Sequence, residues 1–133
     1  MPEYIDKIAW MKIENKKQLK VRTRGKEHFH NPGGQRRPGE TDKQTLIRKI
    51  KNELCIDLKP ETIKYFNTYK AQADGKPLGI EVRIAFYTAD YIGEIKPVND
   101  MDAITWMDYS DMDKMDPIGK IIISDLKAKG LVN

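Results

Sequence analysis

The chain of 133 residues has one cysteine, Cys55, and no apolar run approaching the roughly 18 residues that a membrane-spanning helix needs. A lone cysteine excludes an internal disulfide and agrees with a reducing compartment, and Cys55 reads as a buried, inert thiol. The opening Met1-Pro2-Glu3-Tyr4 lacks the basic and then apolar character of a secretion signal, so the protein is expected in the cytoplasm. Repeats, low-complexity stretches and internal boundaries are also missing, and one domain over residues 1–133 is expected. Charge of one sign is scarce in excess: 24 basic against 20 acidic residues leave +4, too little to argue for nucleic-acid binding. With 39% hydrophobic and 33% charged residues, the composition is that of a folded globular chain, which excludes a disordered tail.

What charge there is lies unevenly. Arg22, Arg24, Lys26, His28, His30, Arg36 and Arg37 crowd one stretch with only Glu27 among them, and read either as a solvated loop or as an anion-facing one.

The pattern of elements follows from periodicity and breakers. Residues 4–13 and 18–24, separated by Glu14-Asn15-Lys16-Lys17, read as two strands of an opening hairpin. Residues 26–39 hold Pro32, Gly33, Gly34, Pro38 and Gly39 and form a structured loop. Thr41-Asp42 offers an N-cap, and Leu46, Ile47, Ile50 and Leu54 recur at helical spacing over residues 42–54. A second hairpin, residues 62–73 and 79–89, turns at Asp74-Gly75-Lys76-Pro77. A short strand over 103–108 surrounds Trp106, and a closing helix over 117–129 puts Ile118, Ile121, Ile122 and Leu126 on one face before Gly130. Strands and helices in this order give a mixed sheet with helices packed on it.

The stretch from Pro32-Gly33-Gly34 to Glu40, followed by Arg48-Lys49-Ile50-Lys51-Asn52-Glu53-Leu54-Cys55-Ile56, resembles the Nudix box. That pattern is a glycine, five residues, a glutamate, seven residues, then Arg-Glu-aliphatic-x-Glu-Glu-x-Gly-aliphatic. Gly34, Glu40, Arg48, Ile50, Glu53 and Ile56 stand in register, whereas Lys49, Asn52 and Cys55 replace glutamate, glutamate and glycine. Phe29 resembles an aromatic that members place ahead of Pro-Gly-Gly. The resemblance covers nearly the whole chain and implies an α+β fold, an α/β/α sandwich with a mixed β-sheet, the box helix and a C-terminal helix. It also implies pyrophosphohydrolases of nucleoside diphosphates linked to another group, with magnesium or manganese as cofactor. Members commonly pair, so a homodimer is compatible with it.

The chemistry shows what the replacements mean. Magnesium demands a tight octahedron of oxygens, so carboxylates must cluster, and positions 49, 52 and 53 share one side of a helix at i, i+3 and i+4. Glu53 is the glutamate left there, the candidate catalytic and metal-binding residue, with Glu40 a second, weaker metal candidate. Exchanging two glutamates for a lysine and an asparagine moves the local charge by about three units against a cation. Lys49 can instead pair with Glu53 at the helix surface, where Glu53 reads as an exposed carboxylate or a residual ligand. Arg36, Arg37 and Lys49 are candidate phosphate contacts without a metal. The resemblance gives Gly33, Gly34, Glu40 and Arg48 structural roles in loop and helix, and Cys55 at the glycine position suggests a helix end without a left-handed residue.

Other candidates carry no motif. Asp100 or Asp102 resembles the location of an external base in some members, and His28 and His30 lack a third ligand for zinc. Glu81 and Arg83 read as a cross-strand pair, and Tyr65, Phe66, Phe86, Tyr87, Tyr91 and Trp106 as core with some capacity to stack a base. Three functions follow: a degenerate Nudix protein that keeps nucleotide or diphosphate binding with weak or lost hydrolysis, an active hydrolase using Glu53, Glu40 and an acid outside the box, or an interaction module on the same scaffold.

Overall fold

The computed structural model describes residues 4–73 and 75–133. In chain order the strands are β1 (Tyr4–Trp10), β2 (Ile13–Glu14), β3 (Lys17–Thr23) and β4 (Gly33–Gly34), followed by helix α1 (Asp42–Leu54). Then come β5 (Asp57–Leu58), β6 (Lys64–Gln72), β7 (Glu81–Thr88), β8 (Tyr91–Ile92), β9 (Met101–Met107) and helix α2 (Pro117–Ala128).

A strand apolar on both faces belongs in the middle of a sheet. β1 sends Ile8 and Trp10 to one core and Ala9 to the other; β7 does the same with Ala85 against Val82, Ile84 and Phe86. They lie side by side, parallel, inside a mixed sheet of order β4-β1-β7-β6 whose other pairings are antiparallel. Helix α1 covers one face with Leu46, Ile50 and Leu54, and α2 covers the opposite face with Ile118, Ile122, Ile123 and Leu126. The expected α/β/α sandwich is therefore the observed one.

The opening hairpin is different from the expected one. β1 stops at Trp10 and pairs with β7 and β4, while the hairpin is the short β2–β3 pair, Ile13 opposite Gln18 and Glu14 opposite Lys17. Its two-residue turn, Asn15-Lys16, has φ of 51° and 59°, the positive values a tight primed turn requires. The second hairpin forms as β6–β7, although Asp74 of its turn lies outside the described residues, as do Met1, Pro2 and Glu3. In α2, Ile121 is exposed and Ile123 is buried, because three consecutive isoleucines at 100° steps cannot share one face.

Helix α1 begins at the expected N-cap. The Thr41 hydroxyl accepts from the Gln44 N–H and the Gln44 side chain accepts from the Thr41 N–H, a reciprocal capping box. Its far end corrects the expectation for Cys55, which adopts φ 60° and ψ 31°, the left-handed conformation itself, and whose N–H donates to the Lys51 carbonyl. The thiol is half-buried rather than buried. The backbone geometry of the glycine has been kept without the glycine, at a conformational cost of about 1 kcal/mol for a residue with a Cβ. Cys55→Gly is therefore expected to raise the midpoint of denaturant unfolding by the equivalent of roughly 0.5–1 kcal/mol, and the β-branched Cys55→Val to lower it. Equilibrium unfolding of the two variants against the native chain checks both signs.

Candidate functional site

The loop after β3 is tied to α1 by one carboxylate. Arg48 donates to both oxygens of Glu40, Nε to Oε2 at 2.7 Å and Nη2 to Oε1 at 2.8 Å, and the Thr45 hydroxyl and the Arg37 N–H add bonds of 3.0 and 2.8 Å. The Arg48 hydrogen bonds, followed by the Arg37 N–H, hold the Glu40 carboxyl down at about 2. Both of its oxygens are thus occupied by the protein's own donors. Arg36 is held on the outside of the same loop between Asp6 and Asp42, and Tyr87 donates to the other Asp42 oxygen at 2.6 Å. Neither Arg36 nor Arg37 lines the cleft described below.

The inner side of the loop meets α1 at Glu53. This residue is buried, 4% exposed at its side chain, rather than standing on the helix surface. One oxygen accepts from the Gly33 N–H at 2.9 Å and the other faces Lys49 Nζ at 3.6 Å. Burial outweighs the pull of the Lys49 charge and the Gly33 bond and pushes the carboxyl up to about 7. The glycines make this junction possible. A Cβ on Gly33 would lie 2.1 Å from the Ile8 carbonyl oxygen, and one on Gly34 would lie 2.5 Å from Lys49 Cε, so the lysine stem rests directly on the Gly34 backbone.

Two adjoining hollows open beside the junction and share Lys7, Thr23, His30, Gly33 and Gly34 as their common wall. The smaller, about 310 Å³, reaches Lys49, Asn52, Glu53 and Asp100. The larger, about 450 Å³, runs over the aliphatic face of β1 and β7 at Ile5, Val82 and Ile84, and is closed by Asn31, Asp116 and the basic segment around Lys26 and His28. Together they form a cleft with cations at one end and a half-polar chamber at the other, a shape that suits an anion carrying an organic group. His30 is held by Thr23, ring nitrogen to hydroxyl 2.8 Å, and burial lowers its pKa, with the Asn31 carbonyl opposing.

The donor set does not fit a magnesium or manganese ion. Of helix positions 49, 52 and 53, Glu53 alone carries a carboxylate; one oxygen is bonded to Gly33, and an ammonium stands beside the other. Asn52 is engaged elsewhere: Asn99 Nδ2 donates to its side-chain oxygen at 3.0 Å and to its carbonyl at 2.6 Å. Among the described residues no three His, Cys, Asp or Glu side chains are grouped as metal ligands. An octahedral ion needs several oxygens that this locus does not offer.

The remaining candidates separate clearly. Asp100 lines the smaller hollow, whereas Asp102 pairs with Arg22 at 3.0 Å. Glu81 and Arg83 pair along the same strand at 3.0 Å rather than across strands, with Arg83 over the Tyr4 ring. None of the six aromatic candidates lines either hollow, and Phe29 packs against the core beneath Arg22. Sequence reasoning missed Lys7, Lys20 and Asn31. Lys7 shares a face of β1 with Ile5 and Ala9, Lys20 shares a buried face of β3 with Gln18, Asn31 lies in the loop before Pro32, and none of the three belongs to a motif.

The pattern of the NUDIX domain matches residues 5–126. No curated protein sequence matches the chain. Among solved structures, the E. coli ORF135 protein is similar with a TM-score of 0.71 and 18% identity over 96% of this chain and 93% of that one. The MutT protein from Methanosarcina mazei Go1 has a TM-score of 0.74 and 12% identity over 96% of each chain. A bifunctional NMN adenylyltransferase/ADP ribose pyrophosphatase from Francisella tularensis, complexed with AMP and a manganese ion, has a TM-score of 0.67 and 17% identity over 97% of this chain and 42% of that one. At these identities the likeness is one of fold.

Glu40 gives the site an acid limit. Its carboxyl lies at about 2 when folded against 4.5 otherwise, so the unfolded chain takes up its proton first as pH falls. The stability contributed by the Glu40–Arg48 tie is complete above about 4.5 and is lost as pH falls through about 2. Acid unfolding of Glu40→Gln is expected to show a lower plateau at neutral pH and a shallower decline over that window; an unchanged acid profile would contradict the tie.

Proposed function

The chain belongs to the NUDIX family, and from that premise we propose that it binds a nucleoside diphosphate derivative in the cleft without a metal ion and hydrolyses it weakly or not at all. One observation carries this reading: the Lys49 ammonium stands 3.6 Å from Glu53, its stem laid on Gly34. Hydrolysis of a diphosphate needs a cation to neutralise the phosphate oxygens and orient water, and a divalent ion does both. A lysine does the first and not the second, since it brings charge and donors but no coordinated water. Binding therefore survives where turnover does not.

In this reading Lys49 and Lys7 receive the diphosphate at the smaller hollow. Glu53 serves as the anchor of Lys49 and of the Gly33 N–H, not as a ligand. Glu40 and Arg48 act by holding the loop, because the oxygens of Glu40 already accept from Arg48, Thr45 and Arg37. Arg37 contributes field from the outer side of the loop, whereas the charge of Arg36 is met by Asp6 and Asp42. The organic group lies in the larger chamber. The contrast is with the Francisella protein, whose structure holds AMP together with manganese.

The test is binding of inorganic pyrophosphate and ADP by calorimetry in chelator, then with manganese, for the native chain and for Lys49→Glu and Lys49→Glu/Asn52→Glu. The native chain is expected to bind in chelator, more weakly as salt rises, with no gain from manganese. Lys49→Glu should lose at least about tenfold in affinity in chelator, the worth of one charge-assisted contact. The double variant should bind only with manganese and gain product release. Magnesium-dependent hydrolysis by the native chain at rates above those of the double variant would refute the proposal.

A further inference from the structure

Thr23 and His30 stand where the two hollows meet: each lines both, and both residues are half-buried. Backbone pairing sets them side by side. His30 exchanges two hydrogen bonds with Val21, its N–H donating at 2.7 Å and its carbonyl accepting at 2.9 Å, which lays it against the end of β3. Between Arg22 and Thr23 the β3–β9 ladder slips, Arg22 opposite Ala103 and Thr23 opposite Met101, so that Asp102 is passed over. A slip of this kind bends the ladder and re-aims its side chains, and here it falls at the wall of the cleft.

The protons of the pair follow from their partners. His30 Nδ1 lies 3.1 Å from the Asn31 carbonyl oxygen, which can only accept, so Nδ1 carries a hydrogen. Burial lowers the pKa of the ring below its ordinary 6.5, so at neutral pH the ring is uncharged and Nε2 holds a lone pair. The Thr23 hydroxyl, 2.8 Å away, must then donate to Nε2. Its proton is committed within the protein, and what the Thr23 hydroxyl oxygen offers a ligand is lone pairs. The Thr23 carbonyl is already taken by the Lys26 N–H at 3.0 Å.

We infer that Thr23, its proton held by the positioning residue His30, is a specificity-determining acceptor for a hydroxyl on the group next to the diphosphate, and that the ligand is therefore built on a hydroxylated sugar. The inference rests on the reading of the cleft as a diphosphate site and deepens it. An acceptor takes a hydrogen from a hydroxyl or an amino group alike, so position makes the distinction. Thr23 borders the hollow of Lys49 as well as the chamber, where the atoms adjoining the diphosphate lie and the far end of the organic group does not. Ionised phosphate oxygens accept and do not donate, so Thr23 offers them nothing and they are left to Lys7 and Lys49. A ligand with hydrogen in place of the hydroxyl leaves the Thr23 oxygen unanswered.

The experiment measures dissociation constants by calorimetry in chelator at neutral pH for inorganic pyrophosphate, ADP, 2′-deoxy-ADP and 3′-deoxy-ADP, with adenosine and its two deoxy forms as a phosphate-free arm. Loss of one of the two sugar hydroxyls is expected to weaken binding to the native chain by about fivefold, the effect of one neutral hydrogen bond. Thr23→Val should bring that ratio to about one, and Thr23→Ser, which keeps the oxygen, should restore it; a packing role alone would not follow the hydroxyl in this way. Independently of any ligand, the ring nitrogen shifts of His30 in NMR spectra, assigned against His30→Gln, should show an uncharged ring with its hydrogen on Nδ1. A ring charged at neutral pH or protonated on Nε2 overturns the inference. So does a native chain that binds ADP and both deoxy forms equally, or a preference that survives Thr23→Val. A chain that binds none of these compounds refutes both readings. Pyrophosphate bound with no preference among the sugars removes this inference and leaves the diphosphate reading, whereas a Thr23-dependent order among the adenosines without pyrophosphate binding does the reverse.

Discussion

A carboxylate taken out of water has to be answered by donors, and Glu53 is answered by the Gly33 N–H and the Lys49 ammonium. That junction joins the strand edge, the glycine loop and the box helix at one point. Through Gly33 it fixes β4 against β1, where Trp10 N–H donates to the Pro32 carbonyl, and so sets the rim of the cleft. Through Lys49 it determines the charge that faces the cleft. Were the carboxylate removed, the Gly33 N–H and the lysine would both lose their partner, and loop and helix would have little reason to keep their present separation.

The cleft itself is a consequence of the two-faced sheet. Because β1 and β7 are apolar on both sides, each face needs its own cover, and α1 and α2 supply one each. The α2 side is not covered fully. Beyond the reach of α2 the chain from 23 to 31 closes over the sheet with polar and basic side chains, and the hollow that remains has an aliphatic floor and a charged rim. Fold and cleft are thus linked by an incomplete cover rather than by any single residue.

Much of this was legible before the structure. The spacing of Gly34, Glu40, Arg48, Glu53 and Ile56 located both the loop and the helix, since each of those residues has a steric or electrostatic duty to a neighbour a few positions away. The partner of β1 was not legible, because a strand buried on both faces pairs with residues more than 70 positions distant and local turn chemistry favoured the nearer strand. The depth of Glu53 was hidden for the same reason: its burial comes from the loop at Gly33, not from its own helix. Lys20 and Asn31 were missed because each reads as an ordinary polar residue, and only their shared hydrogen bond marks them. Cys55 shows the opposite error. A residue type argued against a left-handed helix end, yet the tertiary need to turn into β5 imposed it.

The clasp between Asn99 and Asn52 ties the helix to the opposite wall of the smaller hollow. The segment that enters β9 is pinned to the last turn of α1 by that amide, with Val98 and Lys96 donating to the Glu53 and Leu54 carbonyls beside it. Asn52 thus fastens the neighbouring segment through both its side-chain oxygen and its backbone carbonyl. A change of side chain at Asn52 would alter one of the two bonds and leave the other, since Asn99 also donates to the Asn52 backbone carbonyl at 2.6 Å. The wall of the smaller hollow is thereby held from two sides, by the helix that carries Glu53 and by the segment that leads into β9.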